Sequence, residues 1–319
     1  MDCGVKYAVP LMNGTAALHL ALKLAGVGPG DQILVPDLTF VASVNAIRYT
    51  GAEPVLIDVE EESWQMDPSL FSMRSYPRLK AILPVHILGG MVNMESWQYL
   101  ADYHGLSLIE DATEALGCEW SGKKAGSLGK MACLSFNGNK IMTSGGGGML
   151  LTDSEYLAQK ARHISTQAKT DALTYQHDAV GYNYRMVNLL AALGLAQFEQ
   201  LNHFLDRRKQ IFQQYRKHLQ GVGDIRFQQH HQACTPNHWL TSIRTHQADA
   251  LITLLLENNI QVRRVWTPMH ELPMYADCSF ISEKHISSQL HRECISLPSS
   301  VNLTEESICY VCDLIKRIY

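Results

Sequence analysis

Short apolar runs recur along the first half of this chain, and each ends in a polar or conformationally special residue. Gln32–Pro36, Glu53–Asp58, Ala81–His86, Ser107–Asp111, Cys133–Phe136 and Gly148–Asp153 read as strands. Thr15–Ala25, Phe40–Tyr49 and Met94–Tyr103 carry apolar residues at helical spacing between them. Strands that alternate with helices pair side by side in one direction, because a parallel pair needs a long crossover. The pattern therefore predicts an α/β fold, a mostly parallel mixed sheet between helices. In such sheets ligands sit beyond the carboxyl ends of the strands, so the residues just after each run are where chemistry is to be sought.

The second half reads differently. Asn188 to Leu219 is helical text throughout, apolar at Leu189, Ala192, Leu193, Ala196 and Leu201 and basic at Arg207-Arg208-Lys209. We expect one long helix there, bridging a large domain (1–205) and a smaller C-terminal α/β domain (206–319). The smaller domain should hold a helix near Ala248–Glu257 and a strand near Gln261–Val265. A length of 319 residues suits about two domains. A net charge of −4 argues against a chain built to coat nucleic acid or an anionic membrane. No apolar stretch reaches the roughly 18 residues of a membrane span, and the N-terminus lacks the pattern of a secretion signal. With eight scattered cysteines, those features lead us to expect a cytoplasmic protein with reduced thiols.

Cys309 and Cys312 stand at CxxC spacing, but no second pair exists to complete a zinc site. Thr304-Glu-Glu followed by Ile308, Val311, Cys312 and Ile315 places them instead on the inner face of a C-terminal helix. No metal site is expected. The doublet His230-His231 has no carboxylate or cysteine near it in sequence and reads as a solvated loop.

Four strand ends carry suggestive groups. Asn13-Gly14-Thr15-Ala16 opens a helix, where free N–H groups and the dipole suit a phosphate, although an ordinary N-cap has the same composition. Phe40 follows Pro36-Asp-Leu-Thr and could stack on a flat ring or sit in the core. Asp111 ends a buried strand, which is costly unless something positive meets it, although an Asp there can also cap a helix. Lys140 lies between the Cys133–Phe136 run and the glycines Gly145–Gly148, which let the backbone approach something closely. An amine partly withdrawn from water can attack a carbonyl and form a Schiff base. The glycine run is no Walker loop, since no Gly-Lys-Ser/Thr follows it. A phosphate cradle, a stacking aromatic, a carboxylate and a lysine are together what pyridoxal phosphate needs.

At this point the ordered motifs NGTAALHLAL, VGPGDQILVPDLTFVASVNAI, the PVH at 84–86, IEDATEALG, SFNGNKIMTSGGGG, VGYNYRM and ISLPSSVNLTEE become informative as a set. They resemble the sugar-nucleotide aminotransferases of the DegT/DnrJ/EryC1/StrS family, fold type I pyridoxal-phosphate enzymes, over nearly the whole chain. The resemblance implies that Lys140 bonds the cofactor covalently and Asp111 pairs with its pyridine nitrogen. Thr15, the amides of Gly14 and Ala16, and Ser135 would hold the phosphate. Phe40 would stack on the ring, and Glu114 would sit beside the phenolic oxygen. Asn183 would reach the phosphate held by a neighbouring subunit, in a homodimer with shared sites. His86 and Arg185 are candidates for the sugar or donor site. The implied activity is transamination of a nucleotide-linked 4-keto-6-deoxy sugar, of the UDP-linked N-acetyl kind, with L-glutamate as donor, for cell-surface polysaccharide. Members of the family normally carry several dozen residues ahead of the equivalent of Lys6. That difference keeps a non-catalytic or regulatory cofactor-binding protein as the alternative.

Overall fold

Gln32–Pro36 and Glu53–Ile57 run parallel, with Gln32 opposite Glu53 and Pro36 opposite Ile57, and both are buried along nearly their whole length. Burial on both faces is what a strand under two layers of helix requires. The computed structural model describes residues 3–72, 76–171 and 173–319. These strands lie in an eight-stranded sheet. Its order is Tyr7–Leu11, Gly148–Thr152, Met131–Ser135, Ser107–Asp111, Leu79–Ile82, Gln32–Pro36, Glu53–Ile57 and Ser279–Ile281. Only Gly148–Thr152 runs against its neighbours. The mixed sheet and its covering helices are the α/β architecture expected of a fold type I aminotransferase.

Helix Gly14–Leu24 packs across Met131–Ser135, Gly148–Thr152 and helix Val41–Tyr49. Its inner face, including Ala17, Leu18, Leu20, Ala21 and Leu22, is buried. The run expected as a strand from Ala81 to His86 ends at Ile82. Pro84 lacks the N–H that a central ladder needs. Its carbonyl still accepts from Asp111 N at 2.9 Å, and His86 N donates to Asp111 O at 3.1 Å, so the chain follows the next strand without a continuous ladder.

The expected single helix from Asn188 to Leu219 is two, Asn188–Phe198 and Leu201–Leu219. Gln200, at φ −103° and ψ 5°, turns the chain between them. Phe198 and Leu201, one on each side of the turn, both pack against the larger core. Residue 206 falls inside the second of these helices. Phe204 belongs to the larger core, whereas Ile211, Tyr215 and Leu219 belong to a second cluster. That cluster backs a four-stranded sheet, Arg226–Phe227, Ser242–Arg244, Cys294–Ser296 and Arg263–Arg264, under helices Ala248–Glu257 and Glu305–Lys316. Between its strands the chain returns to the large sheet to add Ser279–Ile281 at the edge.

Thr304 caps the last helix by accepting from Ser307 N, and Ile308, Val311, Cys312 and Ile315 are buried. Cys309 is half-buried with its Sγ 3.6 Å from His218 Nε2. The His230-His231 doublet is not a solvated loop. The fold brings Glu60 to within 3.1 Å of His231 Nε2 and sets Trp120 edge-on to its ring, while His230 packs beside Gly90 and His238. Sequence proximity could not reveal partners so far along the chain.

Candidate active site

The glycines after Lys140 are explained by what they touch. Gly147 N donates to Met12 O at 2.8 Å, and a Cβ on Gly148 would lie 2.5 Å from the carbonyl carbon of Asn13. The run thus presses the Gly148–Thr152 strand against the turn that starts helix Gly14–Leu24. Gly14 is equally constrained, since a Cβ there would meet Ser135 Cβ at 3.0 Å and Thr113 Cγ2 at 3.2 Å. Three chain segments therefore converge on the helix N-terminus. Asn13 is the cap, its Oδ1 accepting from Ala16 N at 2.8 Å. The amide of Ala16 is thereby engaged, and Ala16 does not line the cavity. Gly14 and Thr15 do, with the N–H groups of the first turn that have no partner inside a helix.

That cavity, of about 350 Å³, opens at the carboxyl ends of the strands. Thr15, Phe40, Asp111, Glu114, Ser135 and Lys140 all line it. Phe40 precedes helix Val41–Tyr49 and is half-exposed at the cavity wall. Asp111 is buried. Ser43 Oγ donates to its Oδ2 at 2.7 Å and Thr113 N to its Oδ1 at 3.1 Å. Among the described residues no cation pairs with it. A carboxylate withdrawn from water without a cation is an expensive arrangement.

Lys140 follows the Met131–Ser135 strand through a turn closed by its own N–H on Asn137 O at 3.1 Å. Its Nζ lies 3.4 Å from Glu114 Oε1 and 4.3 Å from the centroid of the Trp239 ring. Glu114 also accepts from Leu88 N at 2.9 Å. Burial nonetheless pushes the Glu114 carboxyl above its ordinary range, against the opposing pull of Lys140. Trp239 is held in place from several directions. Its Nε1 donates to Asn139 O at 2.7 Å and its N to Asn237 Oδ1 at 2.8 Å. Asn237 in turn donates to Glu114 O at 3.0 Å and Leu116 O at 2.9 Å.

Besides Ala16, three expected site residues do not line the cavity. His86 is wholly buried, with Nε2 3.1 Å from Glu110 Oε2 and Nδ1 accepting from Val92 N at 3.4 Å. It braces Glu110, whose carboxylate collects the N–H groups of Gly126, Leu128 and Gly129, and it does not reach the cavity. Asn183 and Arg185 are exposed and lie outside the cavity, on a segment tied by its backbone to Thr166 and Leu11. Conversely, Ser43, Trp239, Arg263 and Trp266 line the cavity and were not anticipated. Ser43 sits one helical turn beyond Thr39 and could have been paired with it from spacing. The other three come from distant sequence and carry no local signal.

The residues present fit pyridoxal phosphate. The buried carboxylate of Asp111, which meets no cation among the described residues, suits a positive partner such as a protonated ring nitrogen. The helix N-terminus at Gly14 and Thr15 suits an anion. Lys140 lines the same cavity as both.

A model of the DegT/DnrJ/EryC1/StrS aminotransferase family matches residues 2–316. The chain is 39% identical over 319 residues to a GDP-perosamine synthase of Escherichia coli O157:H7, covering 99% of this chain and 86% of that one. It is 33% identical over 323 residues to a UDP-N-acetyl-3-dehydro-alpha-D-glucosamine 3-aminotransferase of Acidithiobacillus ferrooxidans, covering 98% and 85%. Among solved structures it superposes on Streptomyces venezuelae DesV, crystallised with a ketimine intermediate, with a TM-score of 0.92 and 30% identity over 99% of this chain and 85% of that one.

Proposed function

The chain belongs to the DegT/DnrJ/EryC1/StrS aminotransferase family and is a pyridoxal-phosphate-dependent aminotransferase, and on that premise we propose that it moves an amino group from L-glutamate to C4 of a nucleotide-linked 4-keto-6-deoxy sugar destined for cell-surface polysaccharide. The observation that carries this reading is that Lys140 and a buried carboxylate without a cation among the described residues, Asp111, line one cavity.

Asp111 would hold the ring nitrogen, Gly14, Thr15 and Ser135 the phosphate, Phe40 the ring face, and Lys140 the aldehyde carbon. When bound, pyridoxal phosphate supplies an electron sink for charge that develops at the carbon bearing the amine. Asp111 would keep a proton on the ring nitrogen by its charge, and Ser43 and Thr113 fix the orientation of its two oxygens. Lys140 Nζ takes the proton from the α-carbon of the donor and later returns one to C4 of the sugar. Glu114 is the acceptor against which that amine rests, and the Trp239 ring bounds its swing and keeps water from it.

We extend the proposal to a homodimer. Helix Asn188–Phe198 has no buried residue, and Leu189 and Leu195 are 83% and 61% exposed. A helix that apolar calls for a covering surface, and the segment bearing Asn183 and Arg185 leads directly into it. Asn183 would then donate to the phosphate held by the neighbouring subunit. The nucleotide is open between two readings. The greater identity with the GDP-perosamine synthase favours a GDP-linked sugar over the UDP-linked N-acetyl sugar that the motifs suggested. Incubating the amine-loaded protein with a panel of GDP-, UDP- and dTDP-linked keto sugars tests both, read as return of the aldehyde-form absorbance. No return with any of them, or no spectral response to glutamate, refutes the proposal.

A further inference from the structure

A second cavity, of about 600 Å³, shares no lining residue with the active site and is walled in part by the residues just ahead of Trp239. Its surface is aromatic and basic. Phe212 and His238 stack with ring centroids 4.1 Å apart and planes 14° from parallel, and Phe227 stands edge-on to Phe212 at 5.8 Å. Lys209, Arg216 and Arg226 line the same cavity, and among the described residues no Asp or Glu does. None of the three cations stands in an ion pair among the described residues. Arg216 spends only its Nε, on Gln220 Oε1 at 3.3 Å. On a chain of net charge −4, an acid-free group of three cations is not a sample of the general surface.

The two histidines complete the character of the pocket. Burial pushes His230 down to about 4 and His238 down to about 3. Both rings are therefore neutral near pH 7 and add no repulsion to the cations. The His238 ring can offer a flat apolar face, and the glutamines 213 and 229 place exposed amides at the same pocket. A volume of this size matches small-ligand sites, which commonly run from about 300 to 1,000 Å³.

We propose that this cavity binds a nucleoside phosphate, with the base stacked on the Phe212–His238 pair and the phosphates held by Lys209, Arg216 and Arg226. Base–aromatic stacking tolerates any base, and Arg forks suit phosphate oxygens. The site stands independently of the aminotransferase reading, because none of its residues belongs to that cavity. It is nonetheless mechanically close to it. His238 is held at φ +52°, between Asn237, which clamps Glu114 O, and Trp239, which lies against Lys140. Gly89 presses on this segment, since a Cβ there would lie 2.5 Å from Trp239 N, so a ligand on His238 bears on a segment with little slack.

The test is titration of the cofactor-loaded protein with GDP, UDP, ADP and inorganic pyrophosphate, by calorimetry and by backbone hydrogen exchange. Exchange distinguishes this pocket, residues 209–238, from the active-site loop at 135–147. We expect each nucleotide to protect the 209–238 region. Arg216→Ala/Arg226→Ala, both exposed positions, should weaken that binding about tenfold or more, whereas Arg216→Lys/Arg226→Lys should retain most of it. Phe212→Leu should weaken the nucleotides and leave pyrophosphate unchanged. Protection confined to 135–147, or equal binding by the parent and the Arg-to-Ala pair, overturns the proposal. Pyrophosphate binding as tightly as the nucleotides, with Phe212→Leu silent, overturns it too, by reducing the pocket to a plain anion site. Turnover of the sugar panel is not part of these readouts, so failure here and failure of the aminotransferase reading are separate results.

Discussion

Asp111→Asn should separate the role of Asp111 in chemistry from any role in folding. In the parent, Ser43 Oγ donates to one carboxylate oxygen at 2.7 Å and Thr113 N to the other at 3.1 Å. Asparagine keeps an oxygen for Thr113. Its NH₂ then faces Ser43, whose hydroxyl can turn to accept, because Thr39 Oγ1 lies 3.2 Å away on the far side. The loss is two charge-assisted hydrogen bonds exchanged for neutral ones, about 1 kcal/mol each. Against it, the cofactor-free protein is relieved of a buried carboxylate that has no cation, so its stability should change by no more than about 1 kcal/mol in either direction. Chemistry should suffer far more. Removing a preorganised charge aimed at the reacting system costs on the order of 10²–10³ in rate, about 2.7–4 kcal/mol. The assay is the single-turnover half-reaction with glutamate, followed by the absorbance of the bound cofactor, beside urea denaturation of the cofactor-free protein. A half-reaction as fast as the parent's, with cofactor bound, would show that Asp111 is a structural cap and would refute this account of the site.

Lys140→Ala should abolish turnover yet leave some cofactor bound without a covalent link, because the phosphate cradle and Asp111 do not involve that side chain; substantial transaminase activity in the purified variant counts against the assignment. In mixed dimers of Lys140→Ala with Asn183→Ala subunits, activity should partly recover, since one site would join an intact Lys140 to an intact partner Asn183; no gain over the separate variants, with heterodimers demonstrated, would contradict a shared site. Gly89→Ala places a Cβ 2.5 Å from Trp239 N at a φ of +88°, and the overlap plus backbone strain should cost about 2–4 kcal/mol in urea denaturation. The hydrogen bond from His270 to Asp37 Oδ2 at 2.7 Å raises the histidine above its ordinary 6.5. A raised folded-state value stabilises fully below pH 6.5, and that stabilisation is lost as pH rises through the raised value. The stability gap between parent and His270→Gln, measured across pH, should therefore be widest below 6.5 and narrow on the alkaline side; a gap that widens there would show the sign to be wrong.

What the sequence determined by itself was local in physical origin. Strand runs and helix faces follow from periodicity, and the Ser107–Asp111 and Gln32–Pro36 strands fall where the pattern places them. The pairing of a lysine with a glycine run, and of a carboxylate with the end of a buried strand, follows from what each group costs when withdrawn from water. Where a segment's fate depended on partners elsewhere in the chain, the reading stopped short. Nothing near Gln200 says that the helical text must turn there, and nothing local says that the helix after it carries Phe204 in one core and Ile211, Tyr215 and Leu219 in another. His86 follows a strand-like run as a site residue would, yet the fold sets it against Glu110 inside the sheet. Trp239 lies about a hundred residues beyond Lys140 and reaches it only because Asn237 fastens its segment to the carbonyls of Glu114 and Leu116. The outer pocket is likewise drawn from a helix, a strand end and a loop. Propensity and patterning act over a few residues, whereas a cavity is the space left between elements that meet only after the chain has folded.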